Sequence, residues 1–196
     1  MNILLINTHL NYPNWSEGSL NRSMTEISKS FFEKLGHTVV QTHVEKGYDP
    51  DEEVQKHVDA DLVILQTPIN WFGSPWIYKK YVDEVFNSGL DSKILLDNDG
   101  RTRKDPSRQY GTGGHMQGKK FMIAATWNAP KEAFSNPNGV LFEGKSEDDL
   151  LLNISSNYKF VGYDILPSYG VFNIFRDKEN IPVNLEGYKK HLGSIV

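Results

Sequence analysis

Five short apolar segments alternate with amphipathic stretches along the chain, and this alternation most constrains the fold. The segments are 2–6, 38–44, 61–66, 121–126 and 163–172. The first, third and fourth are continuous apolar runs, as expected of parallel strands that are covered on both faces. The pattern predicts an α/β fold with a five-stranded parallel sheet, helices on both faces and right-handed crossovers.

Helical patterns between these strands carry recognisable start and stop signals. The clearest helix spans 20–35, with Ser19 placed to cap its start and Gly36 placed to end it. The Asp49-Pro50 and Ser74-Pro75 pairs predict two further starts, because a capping oxygen precedes a residue preorganised for the first turn. The remaining predicted starts are Ser146 and Asn184.

Composition excludes several classes of function. The 196 residues, of which 38% are hydrophobic, predict one domain spanning 1–196. A net charge of -4 without a basic stripe argues against nucleic-acid binding. The absence of cysteine excludes a thiolate nucleophile, so redox chemistry would need a bound cofactor. No apolar run approaches the roughly 18 residues that cross a bilayer, and we expect a cytoplasmic protein. The six histidines have no metal-site spacing, so no metal is expected.

A long polar, glycine-rich segment, 87–118, separates the predicted third helix from the fourth strand. Connections of this length in a compact domain are usually functional or disordered. We expect this inserted loop to be too polar for the core. We also expect it to fold back over the sheet edge at which open α/β folds bind their ligands.

Three shorter loops are expected to meet at the carboxyl edge of the sheet. The first, 7–19, leads into a helix start whose amides and hydroxyls suit a phosphate or pyrophosphate, although serines there also serve as ordinary caps. The second, 68–76, brings aromatic residues, of which Trp71 and Phe72 are the better ligand candidates. The third, 126–130, adds amide, aromatic and small groups. Together they offer the charged-tail contacts, flat walls and polar groups that a flavin requires.

These loops and the long segment also contain a set of linked motifs. The most specific is Gly100-Arg101-Thr102-Arg103-Lys104-Asp105-Pro106. The others are Gly18-x-Leu20-Asn21, Trp71-x-Gly73-x-Pro75-Trp76, Tyr110-Gly111-x-Gly113-Gly114 and Thr126-Trp127-Asn128-Ala129-Pro130. With these motifs the sequence resembles the modulator of drug activity B family, flavodoxin-like NADPH:quinone oxidoreductases that carry FAD, over nearly its whole length.

The resemblance implies a reaction, an assembly and a set of site residues. It implies two-electron reduction of a small-molecule quinone by NADPH through FAD, in a ping-pong scheme, and a homodimer whose flavin sites are completed at the subunit interface. Tyr110 becomes the catalytic candidate, which either hydrogen-bonds the cofactor or donates a proton to the reduced quinone. The implied FAD contacts are Ser16, Glu17, Gly18, Ser19, Leu20, Asn21, Arg22, Ser23, Ile69, Asn70, Trp71, Phe72, Tyr110, Thr126, Trp127, Asn128 and Ala129.

The chain departs from the family in the second loop. Where the family reads Pro-Gly-Trp-Trp, this chain has Pro68-Ile69-Asn70-Trp71, which predicts a differently shaped loop beside the ring and a changed substrate preference. Two other functions stay open. One is an azo- or nitro-compound reductase with FMN or FAD on the same fold. The other is a non-enzymatic flavodoxin-type electron carrier, against which the modest charge of -4 argues.

Overall fold

The computed structural model describes residues 1–196 and contains one parallel sheet. Its strands follow the order β2-β1-β3-β4-β5, and β6 also pairs with β4. Every pairing is parallel. The strands are β1 (Asn2–Asn7), β2 (Thr38–His43), β3 (Leu62–Pro68), β4 (Lys120–Thr126), β5 (Asp164–Ile165) and β6 (Tyr169–Val171).

The predicted fifth strand is divided into two short strands. β5 pairs with the start of β4, and β6 pairs with its end, so the two occupy one position at the edge of the sheet. Pro167 lies between them and has no N–H to donate to a strand ladder. The prediction of five strand positions in a parallel sheet is therefore confirmed, with the last position divided.

Helices cover both faces of the sheet, as predicted. α1 packs with α6 on one face, and α2, α3 and α5 cover the other. The helices are α1 (Ser19–Lys34), α2 (Pro50–Asp59), α3 (Trp76–Asp91), α4 (Glu147–Leu150), α5 (Leu152–Phe160) and α6 (Ile181–Ser194). This arrangement leaves the carboxyl ends of the central strands free at one edge, which is where open α/β folds bind ligands.

Alternate residues of the central strands enter opposite cores. In β1, Leu4 and Ile6 belong to the core beneath α2, α3 and α5, whereas Ile3 and Leu5 belong to the core beneath α1 and α6. Successive strand residues point to opposite faces, and both faces are covered, so both sets must be apolar. This explains why β1, β3 and β4 are continuous apolar runs in the sequence. Each fully buried aliphatic side chain contributes about 1.5–3 kcal/mol.

Three of the predicted helix signals are confirmed. The Asp49 carboxylate accepts hydrogen bonds from the amides of Asp51 at 2.9 Å and Glu52 at 3.1 Å. Ser146 forms a capping box at the start of α4. Gly36, with a φ of 79°, ends α1 by donating its N–H to the Glu33 carbonyl at 3.0 Å.

Three other predicted caps are wrong. Gly18 takes the capping position of α1, with no side-chain hydrogen bond, and Ser19 is the first helical residue. The Ser74 hydroxyl lies 2.7 Å from the Thr67 hydroxyl instead of capping α3, which Pro75 precedes. Asn184 lies one turn inside α6, where its amide donates to the Asn180 carbonyl at 3.0 Å.

The long segment 87–118 packs at the amino edge of the sheet, not over the carboxyl edge as expected. It leaves the end of α3, and its Met116 N–H donates to the carbonyl of Val161, just beyond the end of α5. Leu95, Leu96 and Met116 are buried in the core, so the segment is also not purely polar surface. Both ends of the segment join elements at the amino edge, and this keeps its turns there.

None of the helices is both long enough and apolar enough to cross a membrane. The cytoplasmic location stays a prediction.

Candidate functional site

The first loop is built around Gly18. Its φ of 71° lies in the left-handed region, and a Cβ there would lie 1.7 Å from the His9 ring, so only glycine fits without displacement. His9 Nε2 lies 3.1 Å from the Glu17 carbonyl oxygen, to which the Arg22 guanidinium also donates. The ring is 1% exposed, and burial, together with the nearby charges, lowers the pKa of His9. A neutral, buried imidazole thus forms the floor of this loop.

The start of α1 offers unsatisfied backbone donors. Because no side chain caps the helix, the amides of Ser19, Leu20 and Asn21 have no hydrogen-bond partner within the chain. Free amides and the positive end of the helix dipole favour an anion at this position. The predicted phosphate contacts therefore rest on the backbone, although the prediction that Ser19 caps the helix is wrong.

The first loop also lines a hollow of about 340 Å³, which we call the tail hollow. Its far wall comes from the segment after β6 and contains Ile174, Phe175 and Lys178. Sequence reasoning missed these residues, although they too follow a strand at the carboxyl edge. Of the predicted contacts, the tail hollow is lined by Ser16, Glu17, Gly18, Ser19, Leu20 and Asn21.

Two predicted contacts on α1 lie outside the tail hollow. Arg22 lines a separate polar hollow between α1 and β2, together with His43. Ser23 is exposed on α1. The rings of His9 and His43 stack with their centroids 5.0 Å apart, and possible ligand atoms of His9, His43 and Glu45 lie within 4.8 Å of one another. Nearly parallel imidazoles do not direct their in-plane nitrogens to one point, which is poor geometry for holding a metal ion.

The second loop presents its aromatic residues through a tight turn. The backbones of Asn70 and Gly73 exchange hydrogen bonds of 2.8 and 3.2 Å, and the two residues between them have positive φ angles of 50° for Trp71 and 67° for Phe72. Such angles are unfavourable for bulky residues and are concentrated at functional sites. Trp71 is 93% exposed as a result.

The second and third loops surround a pocket of about 540 Å³, which we call the ring pocket. Its lining includes Ile69, Trp71, Phe72, Trp127, Asn128 and Ala129, and Leu141, Phe142, Asn173 and Arg176 complete much of the wall. Asn70 does not line the pocket, although its backbone closes the turn that positions Trp71. Six of the seven residues predicted from the second loop and from 127–129 therefore meet in one cavity.

Hydrogen bonds join the loops behind the pocket. The Gln66 amide donates to the Asn21 side chain at 2.9 Å, and the Asn21 amide donates to the Thr126 hydroxyl at 3.3 Å. The Ile69 N–H donates to the Thr126 carbonyl at 2.9 Å. Thr126 is buried and lies behind the pocket wall instead of facing it. The side-chain oxygen of Gln66, Oε1, is also buried here but has no hydrogen-bond partner.

Within one chain, Tyr110 lies away from these three loops. It lies in the long segment at the amino edge, where its ring packs 5.2 Å from that of Phe160. Arg101 covers the same ring at 5.3 Å from its centroid. The ring is 67% exposed and therefore accessible to another molecule.

The ring pocket and the tail hollow form neighbouring parts of one edge. Asn173 and Arg176 line the ring pocket, and Ile174 and Phe175 from the same segment line the tail hollow. An aromatic pocket beside an uncapped helix start, at the carboxyl edge of a parallel sheet, defines a protein of the flavodoxin-like class.

Comparison with known proteins identifies the family. A family model described as having the flavodoxin-like fold matches residues 1–192, and the chain belongs to this family. Over 195 residues it is 37% identical to the NADPH:quinone oxidoreductase MdaB of Haemophilus influenzae, and the match covers 100% of this chain and 99% of that protein. The resemblance to the modulator of drug activity B family is thereby confirmed.

Solved structures share the fold. A putative quinone reductase from Klebsiella pneumoniae superposes with a TM-score of 0.78 at 21% identity, covering 100% of this chain and 85% of that one. General stress protein 14 from Treponema denticola, in complex with FMN, has a TM-score of 0.68 at 18% identity, covering 100% of this chain and 99% of that one.

Proposed function

We propose that the protein reduces quinones by two electrons, with NADPH as the donor and FAD bound along the carboxyl edge. The observation that carries this proposal is the ring pocket lying beside the tail hollow. The name of the Haemophilus influenzae relative, an NADPH:quinone oxidoreductase, supports the choice of substrates.

The residues present fit a flavin. The free amides of Ser19, Leu20 and Asn21 suit its phosphates, and Gly18 keeps the approach to them clear of a side chain. The exposed rings of Trp71 and Phe72 supply flat apolar surface for a planar ring. Bound flavin would supply the hydride chemistry, which this cysteine-free chain has no side chains to perform.

The tail hollow favours FAD over FMN. A mononucleotide would end at the phosphate donors of α1, whereas Phe175 and Lys178 extend the hollow beyond them. An exposed aromatic beside a cation suits an adenine with its second phosphate. The Treponema denticola structure is a complex with FMN, so FMN is the alternative cofactor that the experiment must distinguish from FAD.

The chain's own residues would hold and orient the reactants. Walls from Phe72, Phe142 and Ala129 restrict water, and the Arg176 guanidinium places a positive charge at the rim, which favours negative charge developing in the pocket. We expect the nicotinamide and the quinone to use the same open face of the bound flavin ring in turn, which is the basis of the ping-pong scheme.

The position of Tyr110 bears on the assembly. Within one chain it packs at the amino edge, away from the ring pocket. We therefore propose a homodimer in which Tyr110 of one copy completes the ring pocket of the other, as the family resemblance implies. A dimer at micromolar concentration in sedimentation is expected, and a fully active monomer would contradict this assembly.

The test is the cofactor content and turnover of the purified protein. We expect a flavin absorbance spectrum, FAD as the mass of the released cofactor, and NADPH oxidation that depends on added quinone. An azo or nitro substrate turned over in preference to every quinone would favour the reductase alternative. Bound flavin without catalytic turnover would favour the electron carrier.

A further inference from the structure

One buried tryptophan forms part of the ring pocket, and its indole nitrogen has a defined partner. Trp127 is 2% exposed, whereas Trp15, Trp71 and Trp76 are all more than 60% exposed. The Trp127 Nε1–H donates a hydrogen bond of 2.6 Å to Glu147 Oε1. Loss of the acceptor would leave a buried donor unsatisfied, which is the costly case for a hydrogen bond.

The Glu147 carboxylate is held in place from the opposite side. Glu147 is the first residue of α4, and its carboxylate lies directly against Gly170 of β6. A Cβ at Gly170 would lie within 2.7 Å of both carboxylate oxygens, so the close approach requires glycine. The carboxylate therefore occupies one place behind the pocket wall.

The rest of Trp127 is fixed by other contacts. Its N–H donates to the Val171 carbonyl at 2.8 Å, and its carbonyl accepts from the Ile174 N–H at 3.2 Å. Its ring meets Phe134 edge-on at 5.0 Å between centroids. These contacts enclose the indole without giving it a hydrogen-bond direction, and the bond to Glu147 is the directional contact that its side chain makes.

We propose that Glu147 is a positioning residue for the ring pocket: its carboxylate fixes the Trp127 indole, and the charge on the carboxylate sets how firmly that indole is held. Glu147 is thus assigned a role through Trp127 and does not itself line the pocket.

The surroundings make this charge adjustable near neutral pH. Burial is the main cause that raises the pKa of Glu147 to about 7, and the neighbouring Asp148 raises it further. The hydrogen bond from Trp127 and the charge of Lys131 act in the opposite direction. From β6, Tyr169 also faces the carboxylate. Above this pKa the ionised acceptor binds the indole N–H more strongly than the neutral acid does below it.

Two variants separate the acceptor from its charge. Glu147→Gln keeps an oxygen that can accept the indole N–H but cannot ionise, and Glu147→Ala removes the acceptor. Glu143→Gln is the matched control, because Glu143 is exposed in the neighbouring loop. Since Glu147→Gln conserves size and an acceptor, it should fold even if the alanine variant does not.

The first readout is the indole resonance of Trp127 in a proton–nitrogen spectrum of the whole protein, assigned by its loss in Trp127→Phe. We expect a far-downfield signal that shifts with pH around a midpoint near 7. In Glu147→Gln this titration should vanish and the signal should move upfield, whereas Glu143→Gln should behave like the wild type. An unchanged Trp127 titration in Glu147→Gln would overturn the proposal.

The second readout rests on the proposed function. We expect the KM for quinone to fall about threefold as the pH rises through 7, with a smaller change in kcat, and we expect Glu147→Gln to lose this dependence. If the dependence persists in Glu147→Gln, control of the pocket by Glu147 is refuted. If no variant or wild type reduces quinone, the proposed function fails, and the indole resonance still decides the positioning role.

Discussion

Substitution of Gly18 by alanine tests the structure of the first loop most sharply. A residue with a Cβ at a φ of 71° costs about 1–2 kcal/mol. The new Cβ would also lie 1.7 Å from the His9 ring, which is only 1% exposed and has little room to move. Overpacking of this kind costs about 1–3 kcal/mol. Together the two effects lower the free energy of unfolding by about 2–5 kcal/mol.

Gly36→Ala is the matched control for this variant. Gly36 has a similar φ of 79°, but a Cβ there would meet nothing within 4 Å. It therefore carries the backbone cost alone, about 1–2 kcal/mol before the compensating effect of alanine on the unfolded chain. The difference between the two variants isolates the overlap with His9.

Urea denaturation of the flavin-free protein measures both variants. Adding His9→Ala to Gly18→Ala should recover the part of the loss that comes from overlap but not the backbone part. Because Gly18 adjoins the free amides of α1, Gly18→Ala should also weaken FAD binding at least tenfold, or about 1.4 kcal/mol. Equal losses of stability in Gly18→Ala and Gly36→Ala, within about 0.5 kcal/mol, would refute the described packing.

Three further predictions concern the cofactor, the substrate and pH. Ser19→Ala should raise the Kd for FAD about tenfold in a fluorescence titration, because Ser19 lines the tail hollow, and an unchanged Kd would remove this side chain from the site. Ser23→Ala should leave the Kd unchanged, because Ser23 is exposed outside the hollow. Asn70→Trp should leave the KM for quinone within about threefold, because Asn70 lies outside the ring pocket; a larger decrease in steady-state assays would show a ring contact. The raised pKa of Glu147, about 7, means that the folded state binds a proton the unfolded state releases, so stability should fall as the pH rises from about 4.5 to 7. Glu147→Gln should reduce that fall by up to about 3 kcal/mol in pH-dependent denaturation, and an identical pH profile would contradict the assignment.

The sequence predicts the layered fold because the relevant signal is local. The apolar runs at β1, β3 and β4 follow from burial on both faces, which each strand shows independently of its partners. The convergence of the first three loops is equally predictable, because parallel strands end at the same edge. The same rule applies to the loop after the last strand, so it also predicts that Phe175 and Lys178 lie at the ligand edge.

The remaining features depend on pairings between distant segments. Glu147 lies in the first turn of a helix, where the helix dipole alone explains an acidic residue. The sequence therefore gives no sign of its hydrogen bond to Trp127. At Ser19 and Ser74 the local sequence predicts a helix cap that does not form. Gly18 takes the capping position before Ser19, and the Ser74 hydroxyl pairs with the Thr67 hydroxyl instead. For Tyr110, the sequence names the residue but not the edge of the sheet on which its loop lies.

A crystal structure of the protein with its cofactor tests the central claim most directly. We expect an FAD ring in the ring pocket against Trp71, phosphates within hydrogen-bond distance of the amides of Ser19 to Asn21, and the adenine against Phe175 in the tail hollow. FMN in the site with the tail hollow left free, or a flavin ring outside the ring pocket, would contradict it.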